Sequence, residues 1–340
     1  MSDPLVRSTP PKAKTAANAP PRKAPVSEAS MPRAKADGYV PFRERFRAWW
    51  NGVEPQAVVR KGQKAKSPRP QNAIELDDRD DPQRREDWGA ARVRICDQVW
   101  GHGFVGPGGA VYAVEMARPF SARAEALVLD LSAGLGGRID AIATDPDVSV
   151  AGLERDQEFA EMAAERMKRL RRRNIRSIQV YNPERLNLNG LKYDCITARE
   201  TLFSVPDKLA LFGVLKNGLR RRGTLAFADF VLAESDQNEG EVMREWHEME
   251  PSLPQPWAFD EYRSRLTALN FEIVEFIDDS ENYRDLVLGA WRAYADGLET
   301  VTFDRTLVDA LMQEAQLWLH RIRAIESGQL RVLRALARLR

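Results

Sequence analysis

The chain has 340 residues, 43% of them hydrophobic, and a formal net charge of +1. That apolar share is ordinary for a globular protein and allows a sizeable core. The two cysteines, Cys96 and Cys195, lie far apart in no metal-type spacing, and no run approaches the roughly 18 apolar residues of a membrane span. A bound metal and a transmembrane segment are therefore not expected, and a reduced cytoplasmic protein is the simple reading.

Residues 1–70 hide an asymmetry behind the average charge: they hold 15 Lys/Arg against 5 Asp/Glu, and 11 of the 20 prolines. With almost no apolar periodicity, such a stretch cannot bury enough surface to offset its ordering entropy. Residues 1–84 are expected to be a disordered basic tail. It has no apolar signal core, and its Pro/Lys/Ala-rich start imitates a targeting peptide only weakly, given Asp3 and the many prolines. Within the tail, "YVPFRERFRAWWNGVEP" sets Phe42, Phe46, Trp49, Trp50 and Val53 near helical spacing, with Arg43, Arg45 and Arg47 between them. Residues 41–55 read as a short helix that either docks peripherally on an anionic membrane or a protein partner, or packs back on the folded part. Nucleic acid is not an expected partner, because no basic and aromatic platform recurs in the folded part. "ELDDRDDPQRRED" follows as a solvated linker, and the ordered domain is expected over residues 85–340.

From there strands and helices alternate. Ala126–Leu131 reads as a buried-type strand, followed by a glycine turn and a helix over Gly137–Thr144. Val148–Leu153 is a second strand, ending in Glu154. "DQEFAEMAAERMKRLRRR" is an amphipathic helix with Phe159, Met162, Ala163, Met167 and Leu170 on one side. "IRSIQVYN" and "YDCITAR" are further strands. "DKLALFGVLKNGLRRRG" is a helix ended by Gly223, "TLAFADFVL" a strand, "WAFDEYRSRLTALNF" a helix and "EIVEFIDD" a later strand. Roughly the last 55 residues read as helical and basic, covering the domain. The alternation predicts an α/β fold with a doubly wound, mostly parallel sheet. Ligands in such sheets sit at the carboxyl ends of the strands.

The stretch "VLDLSAGLGGRIDAIA", residues 128–143, carries the chemistry. A dinucleotide fingerprint starting at Gly134 needs a third small residue where Ile139 stands, and no phosphate-clamping G-x-x-x-x-G-K-[ST] loop is present. What remains is Asp130 ending the first strand, a turn with Gly134 and Gly136, and Glu154 ending the second. That set suits a ligand without phosphate, bearing an amino acid at one end and a ribose at the other, with Glu154 accepting both ribose hydroxyls. S-adenosylmethionine fits that description. The same pattern also occurs in α/β domains that bind no cofactor.

"VWGHGFVGPGG" (99–109), "VLDLSAGLGG", "YDCITARETLFSVPDKLALF" (193–212) and "LRRRGTLAFADF" (219–230) together resemble a class I methyltransferase. More narrowly they are similar to the phosphoethanolamine and glycine/sarcosine N-methyltransferase group. The resemblance runs from about Trp88 to the C-terminus, where "ESGQLRVLRALARLR" fits a closing strand, and it implies a Rossmann-like, seven-stranded sheet. It further implies that Asp130, Gly134 and Gly136 line the methionine end of S-adenosylmethionine, that Glu154 holds the ribose, and that Arg155 flanks the adenine. Asn182 stands where the group has an Asp for the adenine amine, and its amide oxygen can still accept. Arg199 and Glu200 match an Arg-Asp pair beside the transferred methyl.

Several positions depart from the group. Ser132 occupies the first glycine of the turn: a positive φ there costs a serine about 1 kcal/mol, whereas a negative φ frees its hydroxyl for the ligand carboxylate. Trp88 and Ser204 stand in place of a Tyr/His base pair, and "PSLPQPW" replaces the phosphate clamp, so phosphoethanolamine is not the expected acceptor. Glu200 becomes the candidate polar contact or base, its bland alternative being an ion pair with Arg199. His102 either faces the cofactor or is a loop residue with its own hydrogen bonds. Trp246, Trp257, Trp291 and Trp318 shape an acceptor pocket or pack the core. The expected function is direct methyl transfer to a small-molecule or lipid-like acceptor. The alternative is a catalytically silent scaffold recruited by its basic tail. Removal of residues 1–84 is expected to leave a soluble core that melts cooperatively in a calorimetric scan.

Overall fold

The computed structural model describes residues 46–48, 50, 82–117, 125–236, 238–298 and 304–340. The chain divides into two compact units, 1–65 and 66–340. In the first, residues 46–48 and 50 are helical, and the rings of Phe46 and Trp50 stack at 6.5 Å. The rest of the predicted tail, including Trp49 and the linker before Pro82, lies outside the described residues.

The second unit opens with helices α1 (Pro82–Trp100) and α2 (Gly109–Ala117). Then β1 (Ala126–Asp130), α3 (Gly137–Ile142), β2 (Val148–Glu154), α4 (Gln157–Leu170), β3 (Ile175–Val180), β4 (Tyr193–Arg199), α5 (Lys208–Gly218) and β5 (Leu219–Leu232) follow. Helices α6 (Glu241–Met249) and α7 (Phe259–Ala268), strand β6 (Phe271–Asp278), helices α8 (Ser280–Gly297) and α9 (Arg305–Glu326), and strand β7 (Leu330–Leu339) complete the chain. The seven strands form one sheet in the order β3-β2-β1-β4-β5-β7-β6. Six ladders join them, and only β7 runs antiparallel to its neighbours. Strand order reverses between β1 and β4, which is where a doubly wound sheet leaves a crevice at its carboxyl edge.

Side-chain parity assigns the two faces of the sheet. Leu129, Ile196, Ala198 and Phe227 pack on α5 and α7 through Leu211, Phe212, Tyr262 and Leu266. Val128, Val150 and Cys195 pack on the opposite side against Ile139, Ile142 and Met167 of α3 and α4. Two residues beyond Val128, Asp130 points to the α3 side, and four beyond Cys195, Arg199 does the same. Parity thus brings a buried carboxylate and a guanidinium to one side at the tips of adjacent strands.

Three readings are corrected. The helix predicted through Gly223 stops at Gly218, and Leu219–Arg222 already belong to β5. Leu219 is buried and pairs with Tyr193, after which the ladder slips before Cys195 meets Thr224. A tertiary pairing thus overrides the helical preference of the arginine run. On α4, Phe159, Ala160, Ala163 and Met167 are buried, whereas Met162 and Leu170 are exposed. The C-terminal segment is helical only through Glu326, and the closing β7 lies between β5 and β6 rather than over the domain.

Phe227 is fully buried, with Tyr262 at 5.4 Å and Phe212 at 6.2 Å between ring centroids. Phe227→Ala is expected to lower unfolding free energy by about 3–5 kcal/mol in a denaturant melt.

Candidate functional site

A cavity of about 440 Å³ opens at the carboxyl ends of β1, β2 and β4, within the range of roughly 300–1,000 Å³ typical of small-molecule sites. Ser132, Gly134, Glu154, Arg155, Arg199 and Glu200, all singled out by sequence, line it together. Asp130 and Gly136 do not. Asp130 is fully buried behind Ser132, and Gly136 (φ 90°) turns the chain against α4, where a Cβ would lie 2.8 Å from Met167 Cε. Asn182 borders an adjoining cavity of about 620 Å³, which shares Arg155, Ser204 and Ser252 with the first.

The turn is organised by Asp130. Its Oδ1 accepts from Ser132 N at 2.8 Å and Ser132 Oγ at 2.9 Å, and its Oδ2 accepts from Arg138 Nε at 2.9 Å. Ser132 is not among the positive-φ residues, so no strain attaches to it. Nor is its hydroxyl turned to a ligand: Oγ accepts from Arg199 N at 2.9 Å, extending the β1–β4 ladder one rung past the last strand residue. The positive φ falls on Gly134 (54°), where a Cβ would meet Val105 Cγ2 at 3.0 Å. The segment before β1 crosses here, with Gly137 N donating to Gly103 O at 2.8 Å. A Cβ at residue 137 would sit 2.6 Å from that same oxygen, so the crossing demands glycine.

Glu154 Oε2 accepts from Gly134 N at 2.7 Å, and Oε1 accepts from Arg155 N at 2.8 Å and Asp156 N at 3.1 Å. Three of about four lone-pair directions are therefore used, leaving one acceptor on Oε2 rather than the pair expected from sequence. Burial raises the Glu154 carboxyl above its ordinary value, and the backbone donors only partly oppose that. Arg155 Nη1 reaches across the carboxyl edge to Ser204 Oγ at 2.6 Å and so stands between the two cavities. Asn182 Oδ1 accepts from Glu184 N at 2.9 Å, capping a 3-10 turn.

Glu200 sits in the left-handed region at φ 49°, an unfavourable place for a glutamate. Its carboxylate lines the cavity, 3.0 Å from Arg199 Nε and 3.4 Å from Arg321 Nη1. Arg199 is buried and lies 4.4 Å from the Tyr112 ring centroid.

Sequence reasoning missed the far wall. Helix α9 presents Glu314, Leu317, Trp318 and Arg321 to the cavity, one helical face at i, i+3, i+4 and i+7. Glu314 pairs with Arg92 at 3.0 Å, and Glu250 holds Arg321 through two bonds of 2.7 Å. Burial alone pulls Arg321 down, but the Glu250 carboxylate outweighs it and holds the guanidinium above its usual value. The available signal was the recurrence of charges on an otherwise apolar stripe. Buried Lys208 donates to Val205 O at 2.8 Å and to Gln255 O, tying the loop after α6 to the site.

Other candidates fall elsewhere. His102 is exposed, with Nδ1 2.9 Å from Asp97 Oδ2, and takes no place in the cavity. Of the four tryptophans only Trp318 lines it; Trp246 and Trp291 are core, and Trp257 packs on Phe212 and Tyr262. Ser204 lines the cavity, and Trp88 lies in α1 with its side chain outside the described residues. Among the described residues no group of three or more His, Cys, Asp or Glu could hold a metal, and no helix is long and apolar enough to cross a membrane.

A family model described as a methyltransferase domain matches residues 129–225. An O-methyltransferase from Pyrenophora dematioidea is 25% identical over 159 residues, 47% of this chain and 59% of its own length. Among solved structures, Haemonchus contortus phosphoethanolamine N-methyltransferase 2, in complex with phosphomonomethylethanolamine and S-adenosylhomocysteine, aligns with a TM-score of 0.65 at 15% identity. That alignment covers 73% of this chain and 57% of the other. A coclaurine N-methyltransferase bound to N-methylheliamine and S-adenosylhomocysteine aligns at 0.59 and 11%, covering 75% and 85%. The (4+2)-cyclase SpnF aligns at 0.57 and 15%, covering 75% and 95%. The chain thus spans less than two thirds of the length of the first two relatives, and the structural likenesses speak to fold.

Ser132→Gly would restore the group's turn residue while removing the hydroxyl that serves Asp130 and Arg199 N. Since residue 132 gains nothing from a freer φ, the change is expected to cost about 1–3 kcal/mol in a thermal or denaturant melt. Residues 129–225 match a methyltransferase-domain model, and the strand order is that of the class I methyltransferase fold.

Proposed function

We propose that the protein is an S-adenosylmethionine-dependent methyltransferase acting directly on a small-molecule or lipid-like acceptor. The observation that carries this reading is Glu154, whose carboxylate lies at the tip of β2, bound to the glycine turn and facing a cavity at the strand-order reversal. The free acceptor direction on Oε2 suits one ribose hydroxyl. Arg155 and Asn182, flanking the adjoining cavity, suit a flat heterocycle with an exocyclic amine. The relatives noted above that hold S-adenosylhomocysteine support the same ligand.

The cofactor supplies a methyl group on a sulfonium, already a good leaving group. The chain has therefore to align an acceptor lone pair with that carbon and keep water out. Phe104, Phe203, Leu317 and Trp318 give the cavity apolar walls for the acceptor's body. An acceptor N–H or O–H must lose its proton as the new bond to carbon forms and the carbon–sulfur pair departs on sulfur. Glu200 is the carboxylate placed to accept that proton, with Arg199 and Arg321 fixing its position. Its backbone strain belongs with such a role, since the surrounding ladder holds it there through Glu200 N to Ala228 O at 2.8 Å.

Calorimetric titration with S-adenosylhomocysteine tests the cofactor site. Glu154→Ala is expected to weaken binding by about 2 kcal/mol, roughly 30-fold. Because the Glu154 carboxyl is raised, it protonates at a higher pH than an ordinary glutamate. Affinity is therefore expected to fall on acidification from above pH 4.5, and Glu154→Gln should flatten that step. A wild-type protein that binds none of the ligand at millimolar concentration would refute the reading.

A further inference from the structure

The glycine turn presents few free donors. The amides of Leu131, Ser132, Ala133, Gly134, Gly136 and Gly137 each donate to a protein oxygen. The loop backbone thus offers an anionic group fewer donors than a phosphate cradle does. The side-chain donors beside the turn belong to Arg138, the second residue of α3. Its residue exposure is 6%, and it lines the cavity together with Ser132 and Gly134. Its Nε is spent on Asp130, and both terminal nitrogens, Nη1 and Nη2, are buried with no hydrogen-bond partner. Buried guanidinium donors left without acceptors are strongly unfavourable, which marks an edge shaped for a ligand atom.

Charge points the same way. Of the five arginines on the cavity wall, Arg92, Arg199 and Arg321 each face a glutamate that also lines the cavity, and Arg155 donates to Ser204 Oγ. The counter-ion of Arg138 is Asp130, which is fully buried and absent from the wall. Arg138 thus brings positive charge to the cavity wall, its two buried terminal nitrogens without an acceptor. That planar pair of donors matches a carboxylate in bidentate geometry.

We infer that Arg138 is a carboxylate-binding subsite, and that it holds the α-carboxylate of the cofactor's methionine moiety. The assignment rests on the cofactor reading above. It makes Asp130 a positioning residue: the Asp130 carboxylate occupies the Nε edge and leaves the Nη pair for the ligand.

The test compares three probes on the full-length protein: S-adenosylmethionine, its decarboxylated analogue, and 5′-methylthioadenosine, which lacks the whole amino-acid end. Wild-type protein is expected to bind S-adenosylmethionine at least tenfold more tightly than the decarboxylated form. Arg138→Gln should bring that ratio close to one, and any loss from disturbing Asp130 should fall equally on the decarboxylated form and 5′-methylthioadenosine. Arg138→Lys keeps the charge over Asp130 but loses the fork, and should give an intermediate ratio. If wild-type protein binds all three probes but does not discriminate the decarboxylated form, the subsite is refuted while the cofactor reading stands, whether or not the variants fold. Equal weakening of all three probes in Arg138→Gln would assign the residue a purely structural role and also overturn the inference. Failure of the wild type to bind any probe would refute the cofactor reading, and the subsite with it.

Discussion

The site depends on a buried carboxylate at the tip of β1. Asp130 is inaccessible to solvent and takes three hydrogen bonds, two from Ser132 and one from Arg138. A lone ionised carboxylate in that position would be strongly disfavoured, and the guanidinium partner is what makes its charge tolerable. Through those three bonds one side chain sets the path of the turn, the direction of α3 and the placement of the Ser132 hydroxyl. Ser132 in turn anchors Arg199 N at the end of β4. The two strand tips that frame the cavity are thereby joined by side-chain bonds where their backbone ladder ends.

From that junction the polar lining extends across the cavity. Arg199 meets Glu200, Glu200 meets Arg321, and Arg321 is clamped by Glu250 at the end of α6. The chain of pairs links the sheet edge to helix α9, which comes from the far end of the sequence. Each pair is partly or wholly buried, so each is a source of orientation more than of net stability. Glu200 carries the strained backbone within this chain, and its neighbours leave it no freedom to relax.

Local features were legible in the sequence. The strand from Tyr193 to Arg199, the glycine turn and Glu154 at the end of β2 all announce themselves through short apolar runs and small residues. Partners distant in sequence do not. The α9 face at Glu314, Leu317, Trp318 and Arg321 carries helical spacing, but nothing in that spacing says it would roof a cavity made by β1, β2 and β4. Ser132 illustrates the same limit. As a departure from a glycine pattern it reads as a tolerable weakening, yet its hydroxyl takes on a backbone role 67 residues along the chain, at Arg199. Arg138 was invisible for a related reason: an arginine early in a short helix is ordinary until burial and a single occupied nitrogen single it out.

Likeness of fold leaves the acceptor open, and the structure explains why. The fold is shared with two N-methyltransferases and a cyclase at 11–15% identity. On the proposed function, the strand tips of that fold supply the cofactor half of the cavity. The other half is built by α9, by the loop after α6 that Lys208 ties down, and by the segment crossing the turn at Gly103. These elements lie outside residues 129–225, where the family model matches, so they can change without disturbing the strand tips. On the proposed function, acceptor specificity is therefore expected to reside in Phe104, Leu317 and Trp318. Substitutions there should alter which acceptor is taken while leaving the Asp130 junction and the β2 carboxylate as they are.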